Sequence, residues 1–558
     1  MKHLSRRDML KLMGAATAGT VLAACAKATT EAPKAPEPTK APEATKAPEA
    51  TKPPEATKPP EATKPPEPTE APPPAKVVKI TMVESWFGIP QYKEVLDPVT
   101  KVINEKMQSE GVNIQIESMI LEDHEQKYPL LYASGADFTM AFDAPWYKMT
   151  TLRTQGALVP LNDLLTASGP KLMEEITSKI FNANLIDGKL WGIPAAYYYA
   201  GTGGVIFRED LRQKYNAAMP TSKDGWPSLE PFLEAIKQNE KGMTPFGNVT
   251  TQSMAGYVRS HPGWNAAAAP KVGVIIADIT KDFKLIDEED NPALIETTKL
   301  LRTWWEKDYI NKTDLTFSGS SQNAQIDYIY PGKAASCVEN EPDYKWVDQS
   351  KQMKAANKDA SLMGVDMSGG RAGIKGLGAL KQWNFVVLNA NAPAEQQTAA
   401  IQYFNWLASS QDNIDLWDMG IDGVNYKKEA NLRFSEIAGV DVARNYRRMW
   451  YVSGLGGRFQ RQPVDLPKEA EEALTFFSTE SNWVFNPYET FEPDVKSLEV
   501  ETAKLNAVYD EAVHGLNTGQ VTTEEAVKKI KQMLDDNGRQ VFKEKLQKQL
   551  DDYIAAHK

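Results

Sequence analysis

Cysteine is almost missing from this chain: there are two in 558 residues, Cys25 and Cys337. A disulfide framework is therefore excluded as the source of stability, and an apolar core must supply it. Histidine is nearly as scarce, being confined to His3, His124, His261, His514 and His557. None of the five stands at a metal-ligand spacing such as H-E-x-x-H, and no G-x-S-x-G nucleophile turn occurs. Positive charge is in deficit. Lys and Arg number 63 against 74 Asp and Glu, a net charge of −11, which argues against a nucleic-acid partner and against a basic membrane surface. The apolar run from Leu12 to Ala24 is too short to span a bilayer. The glycines at 373, 376 and 378 do not have the G-x-G-x-x-G spacing, so no cofactor is expected. The remainder is ordinary for a globular chain of two or three domain-sized units, with 42% hydrophobic and 25% charged residues.

Two N-terminal segments stand outside the fold. Residues 1–25 combine a positive front (Lys2, Arg6, Arg7, Lys11) with an apolar, small-residue run. Ser5-Arg6-Arg7-Asp8-Met9-Leu10-Lys11 resembles the twin-arginine export motif, with Met9 where that pattern usually has Phe, so the general secretory route stays open. Leu22-Ala23-Ala24-Cys25 resembles a bacterial lipobox. That resemblance implies cleavage before Cys25, a lipid on its thiol, and a location on the outer face of the bacterial cell membrane. Cys337 would then have no partner within the chain, and its Ala-Ala-Ser-Cys-Val setting reads as a small buried hydrophobe. Residues 26–76 are low in complexity and hold no aromatic residue, and hexads of the form Ala/Pro-Pro-Glu-x-Thr-Lys recur in them from Ala35 to Glu70. Such a segment cannot bury a core. Its prolines favour extended polyproline II at about 3.1 Å per residue, a stalk on the order of 100–150 Å.

The folded part opens as strand, helix, strand, helix, strand. Val78–Val83 is a short apolar run. Leu96, Val99, Ile103 and Met107 share one face of a helix that Gly111 stops. Val112–Ile116 alternates, Gln126–Ser134 reads as helical, and Phe138–Phe142 is a third strand. This order predicts a parallel sheet with helices on both faces. Ligands in such sheets sit beyond the carboxyl ends of the strands. Those ends carry Glu84 with Trp86, and Asp143 with Trp146. A carboxylate accepts hydrogen bonds from adjacent hydroxyls, and an indole stacks on the apolar face of a pyranose. The same pairs also suit a tryptophan capping the sheet edge beside a solvated acid, and the pattern leaves both readings open.

Asp187–Asp210, DGKLWGIPAAYYYAGTGGVIFRED, is the stretch around which the rest is arranged. Leu190–Pro194 and Gly204–Phe207 are extended segments. Between them lie Tyr197, Tyr198 and Tyr199 and a Gly-rich link. An ordinary buried hairpin would also fit this pattern. Further on, Trp264 lies in a loop, Asp287–Asn291 reads as a solvated acidic turn without calcium-loop spacing, and helix Pro292–Lys307 follows. Gln382–Leu388 is a buried strand, and Ala400, Tyr403, Phe404 and Leu407 share a helical face. Thr522 and Glu525 form a capping box, with Val527, Ile530 and Leu534 on the inner face of the helix they open.

DGKLWGIP followed by VIFREDLRQKY resembles the lobe-crossing passage of the family 1 extracellular solute-binding proteins of ABC importers. Further matches occur in order: YASGADF at Tyr132–Phe138, WWEKDYI at Trp304–Ile310, YPGKAA at Tyr330–Ala335, and LWDMGIDGVNY at Leu416–Tyr426. The last is similar to the lipoprotein-type sugar-binding subgroup, with Asn425 where that group usually has His. The resemblance covers roughly residues 78–558. It implies an α/β, two-lobed, periplasmic-binding-protein-like (type II) fold, each lobe a mixed or parallel sheet flanked by helices, joined by a hinge. Residues 77–200 would be the first part of lobe 1, 201–380 lobe 2, and 381–558 the return to lobe 1 with a C-terminal helical region strapped across its back. The implied ligand is a carbohydrate, an oligosaccharide, and the implied partner an ABC permease, with the binding protein itself a monomer. The implied ligand-binding residues are Glu84, Trp86, Asp143, Trp146, Tyr197, Tyr198, Tyr199, Trp264, Glu341, Trp383, Asn384 and Trp450. Two competitors keep most of this. The same fold with Arg448 or Arg371 as partner would take a peptide or a sugar acid. A polysaccharide-active enzyme would need two of Glu84, Asp143, Glu339 and Glu341 as a carboxylate pair, and no motif supports one.

Overall fold

The computed structural model describes residues 76–557, apart from 86–92, 122–123, 196–202, 248–253, 255–264, 267–270, 277–280, 313–324, 341, 368–375, 441–444 and 447–460. The expectations about residues 1–75, Cys25 among them, therefore lie outside the described residues.

Strand β1 (Val78–Ser85) carries the first apolar run. Helix α1 (Lys93–Ser109) buries Leu96, Val99, Ile103 and Met107, the face that their spacing predicts. Strand β2 (Ile114–Leu121) pairs parallel with β1 from Val78↔Ile114 to Ser85↔Leu121. Helix α2 (His124–Ser134) leads to β3 (Met140–Asp143), parallel to β1 on its other side. These three strands form the predicted parallel unit. The sheet continues with the far-off strand Phe385–Leu388, antiparallel to β3, and then with β4 (Ile193–Pro194). The core on its faces joins Met82, Phe142 and Leu388 to Phe404 and Trp417.

β4 and the next strand do not pair with each other. Strand β5 (Gly203–Arg208) instead centres a second sheet, and this excludes the hairpin reading of Asp187–Asp210. A small sheet of β6 (Asn265–Ala266), β7 (Val274–Ile276) and β8 (Leu285–Asp287) comes next, then helix α3 (Pro292–Glu306). Strands β9 (Ser336–Asn340) and β10 (Leu362–Asp366) flank β5, both antiparallel to it. β5 has Val205 and Phe207 packed with Phe232 and Trp304 on one face, and Ile206 with Cys337 and Met353 on the other. Cys337 is buried, as its neighbours suggested. Strand β11 (Gly376–Gly378) follows, and Phe385–Leu388, now β12, returns the chain to the first sheet. Helix α4 (Ala394–Leu407) then buries Ala400, Tyr403, Phe404 and Leu407. Strands β13 (Lys427–Glu429), β14 (Arg433–Ser435) and β15 (Gln462–Pro463) form a small sheet, and β16 (Trp483–Phe485) pairs parallel with β11.

The C-terminal helices correct two expectations. α5 (Val495–Thr518), α6 (Thr523–Asp536) and α7 (Arg539–His557) do not strap the first sheet. Their apolar faces (Leu505, Leu516, Ile530, Leu534, Phe542, Leu546) form one core with Val274 and Leu285 of β7 and β8 and with Leu294 of α3. The capping box at Thr522 and Glu525 is present. The acidic run Asp287–Asn291 is not a solvated turn. Asp287, Glu288 and Glu289 are buried there because the Arg539 guanidinium is buried among them. Arg539 pairs with Glu289 at 2.6 Å, and Lys543 with Asp287 at 2.7 Å. Tyr509 donates to Glu288 at 2.7 Å. Buried carboxylates persist only when paired and hydrogen-bonded in this way.

Candidate functional site

The carboxyl ends of β1 and β3, the start of β12 and the end of β4 meet at one edge of the first sheet. The register places Phe385 opposite both Asp143 and Pro194. Asn384, one residue earlier, therefore sits at the rim between the two chain crossings, and its carbonyl accepts the Ala195 N–H at 3.0 Å.

Asn384 is fully buried. Its Oδ1 accepts a hydrogen bond from Trp146 Nε1 at 3.3 Å. An indole N–H is a donor only, so this contact fixes the amide orientation and turns Nδ2 away from Trp146 as a donor. That Nδ2 has no partner among the described residues. Two tryptophans flank the asparagine. Trp146 is 50% exposed and Trp383 is 67% exposed, and they are the exposed tryptophans among the described residues. The others are buried or half-buried, for example Trp304 and Trp417 in the cores. Flat aromatic surface left in water at a strand-end rim is the feature that asks for a ligand.

The carboxylates are held differently. Asp143 is fully buried. Its Oδ1 accepts the backbone N–H of Ala144 at 2.7 Å and of Lys148 at 3.0 Å, and its Oδ2 accepts Tyr128 O–H at 3.1 Å. It therefore shapes the turn that carries Trp146. Burial pushes its carboxyl up to about 6, against the pull of these donors. Behind it lies an aromatic stack that sequence reasoning missed. Tyr128 stacks on His124 at 4.7 Å and lies edge-on to Tyr132 at 5.4 Å, and Tyr147 stacks on His124 at 5.3 Å. Burial pushes His124 down to about 4, so it is neutral. The signal that was available is the i, i+4 pair Tyr128 and Tyr132 on α2. Glu84, buried at the end of β1, accepts Ser118 O–H at 2.9 Å from the neighbouring strand.

Of the remaining predicted residues, Trp86, Tyr197, Tyr198, Tyr199, Trp264, Glu341 and Trp450, with Arg371 and Arg448, lie outside the described residues. The flanking strands locate the tyrosines in the chain: Pro194 closes β4 in the first sheet and Gly203 opens β5 in the second. Glu339, next to Glu341, is buried on β9 and accepts from Gln349 Nε2 at 2.8 Å. The structure thus brings Glu84, Asp143, Trp146, Trp383 and Asn384 to one edge.

The C-terminal residues 487–555 match the family described as "Domain of unknown function (DUF3502)". A "Carbohydrate ABC transporter substrate-binding protein" of Streptococcus pneumoniae serotype 4 is 24% identical over 481 residues, 83% of this chain and 89% of that protein. The structure of N-glycan transport solute binding protein (NgtS) from Streptococcus pneumoniae superposes with a TM-score of 0.65 at 17% identity, covering 87% of this chain and 100% of that one. An "HMO binding ABC-transporter associated Solute Binding Protein" from Bifidobacterium longum infantis gives 0.54 at 14% identity, over 86% and 99%. The fold is therefore that of the two-lobed, type II α/β solute-binding proteins. In sequence the chain is similar, over most of its length, to a substrate-binding protein of a carbohydrate ABC transporter.

Proposed function

We propose that the protein captures an oligosaccharide outside the cytoplasmic membrane and presents it to an ABC permease. The observation that carries this reading is the pair of exposed indoles, Trp146, which donates to the buried Asn384, and Trp383, which precedes it in the chain. Sugar rings stack on such surfaces, and the Asn384 Nδ2–H faces away from Trp146 as a donor for a ring or hydroxyl oxygen. The relative of Streptococcus pneumoniae is named as a carbohydrate binder, and NgtS has been solved with Man1GlcNAc. Asp143 acts here as a positioning residue for Trp146, and Glu84 lines the same rim. Tyr197, Tyr198, Tyr199, Trp86, Trp264, Glu341 and Trp450 complete the contacts from the crossing and from the two lobes. We take residues 77–200 with the return through β12 and α4 as one lobe, and 201–380 with the C-terminal helices α5–α7 as the other. A ligand touching both shifts the equilibrium toward a closed form by its differential affinity. The protein is a monomer that binds without turnover and is tethered through a lipid on Cys25 and the 26–76 stalk.

The test is calorimetry and thermal shift of the purified protein against neutral oligosaccharides, acidic oligosaccharides and peptides. A ligand held only by the folded state at a hundred times its Kd stabilises by about 2.7 kcal/mol. A neutral oligosaccharide should shift the melting temperature, and Trp146→Ala or Trp383→Ala should each weaken its binding about 10–100-fold. A shift with peptides alone would leave the fold standing and sink the carbohydrate assignment. Glycan cleavage by the wild type would sink the binding-only reading.

A further inference from the structure

The backbone just before Trp383 and Asn384 is gripped from two sides. On the side of the first sheet, Asn184 Oδ1 accepts the Gln382 N–H at 2.7 Å, and its Nδ2 donates to the Leu380 carbonyl at 3.0 Å. On the other side stands Glu489. Its Oε2 accepts the Leu380 N–H at 3.0 Å and its Oε1 accepts the Lys381 N–H at 3.0 Å. Glu492 pairs with the Lys381 ammonium. Both glutamates fall within residues 487–555, the segment matched by the family of unknown function.

Glu489 is itself anchored. Tyr488 packs edge-on against Phe283 at 4.9 Å, and Phe491 against Tyr553 of α7 at 5.4 Å. Thr490 Oγ1 lies 2.5 Å from Tyr553 Oη. Just upstream, β16 pairs with β11, and Phe485 covers Gly378 so closely that an added Cβ would lie 2.6 Å from its ring. The C-terminal segment thus holds both ends of the short passage 376–381. Among the described residues no ring contact or hydrogen bond holds the Trp383 side chain, and the described constraint on its orientation is the backbone that carries it. A carboxylate accepting two consecutive N–H groups fixes the peptide planes from which that backbone continues. Burial raises the Glu489 carboxyl, as expected for a group that acts from within the packing.

We infer that the turn leading into the C-terminal helices is part of the ligand-binding machinery: Glu489 positions the Trp383–Asn384 pair and so sets the affinity for the solute. This rests on reading those two residues as the ligand platform. The test compares Glu489→Ala and Glu489→Gln with the wild type and with Thr522→Ala, which loosens the helices beyond that turn at the α6 cap, away from residues 380–382. Two quantities are read at 25 °C. One is the dissociation constant for whichever neutral oligosaccharide of the panel, maltotetraose or chitotriose among them, the wild type binds. The other is the acrylamide quenching of Trp383 without ligand, taken as the difference between each protein and its Trp383→Phe counterpart.

Glu489→Ala should weaken binding about tenfold and change Trp383 quenching, since two charge-assisted hydrogen bonds are lost. Glu489→Gln, with one acceptor oxygen left, should fall between it and the wild type. Thr522→Ala should lower the melting temperature and leave both readings unchanged. Wild-type affinity and wild-type quenching in a folded Glu489→Ala protein would overturn the inference, as would an equal loss of affinity in Thr522→Ala. If Glu489→Ala does not fold, the glutamine variant decides by the same two readings. If the wild type binds no carbohydrate, the platform reading fails by itself. The ligand-free quenching still decides the clamp, and an unchanged signal in Glu489→Ala overturns it.

Discussion

Asp143 and His124, both buried behind Trp146, titrate over the same range with opposite effects on stability. The folded Asp143 carboxyl sits at about 6, above its ordinary 3.8, because it is desolvated. Between these values the folded protein keeps a proton that the unfolded chain has released, so its contribution is full below about 4 and is lost as pH rises through about 6. The folded His124 sits at about 4, below its ordinary 6.5, also through burial. Between those values the unfolded chain binds a proton that the folded protein refuses, so stability is lost as pH falls. Each window is worth about 3 kcal/mol, at 1.36 kcal/mol per pKa unit. The two nearly cancel, and this pair leaves the wild-type melting temperature almost flat from pH 6.5 to 4. Asp143→Asn should expose the histidine, so that acidification over this range costs it about 3 kcal/mol relative to the wild type. His124→Phe, which keeps the stack on Tyr128 and Tyr147, should gain stability on the same acidification. Melting temperatures of the three proteins at half-unit pH steps check this, and slopes of the same sign in both variants would contradict it.

Single elements were legible wherever one stretch of sequence carries its own pattern. The α1 face, the strand runs of β1 and β3, the α4 stripe and the Thr522–Glu525 box are local matters of period and capping, and the structure has them where the sequence places them. What an element pairs with is not local. β4 pairs with β12, far along the chain, and β5 pairs with β9 and β10. Asp187–Asp210 therefore displayed two extended segments without revealing that they lie in different sheets. An amphipathic helix announces an apolar face and not what covers it, which is why α5–α7 were placed on the wrong surface. The acidic turn misled for the same reason, its counter-charge Arg539 lying 250 residues on. At the candidate site, the strand-end places of Glu84 and of Asp143 with Trp146 were readable from strand polarity, whereas Asn184 and Glu489 enter by tertiary packing alone. One glycine shows how tightly such pairing is drawn. In β5, a Cβ on Gly204 would lie 2.1 Å from the Val365 carbonyl oxygen of β10. The neighbour is backbone and cannot swing aside. Gly204→Ala should force the two strands apart and cost about 1–3 kcal/mol or more, read as a lower urea midpoint at unchanged slope.

Over the whole molecule, the placement of α5–α7 decides which parts move and melt together. α3 belongs to two cores at once, with Leu294 among the C-terminal helices and Leu301 and Trp304 against β5. The end of α5 is tucked against it, Arg302 donating to the Gln520 carbonyl at 2.8 Å. The C-terminal helices are thus joined to the second sheet by apolar packing and by the buried Arg539 network. The chain just before these helices is tied to the chain around the first sheet by polar contacts, among them Lys179 with Glu480 at 2.5 Å and the Glu489 grip on residues 380–381. Removing one partner of a buried ion pair costs about 3–5 kcal/mol, since the other charge stays behind unpaired. Arg539→Met should therefore destabilise a body rather than a site. Native-state hydrogen exchange should show protection falling together in β7, β8, α3 and α5–α7, while β1–β3 keep their wild-type rates. Equal loosening of β1–β3 would mean that both sheets unfold as one cooperative unit. Loosening confined to α5–α7 would mean that these helices ride on the second sheet without being part of it. The Glu489 clamp would then link the ligand platform to a loosely attached domain instead of to the opposite lobe.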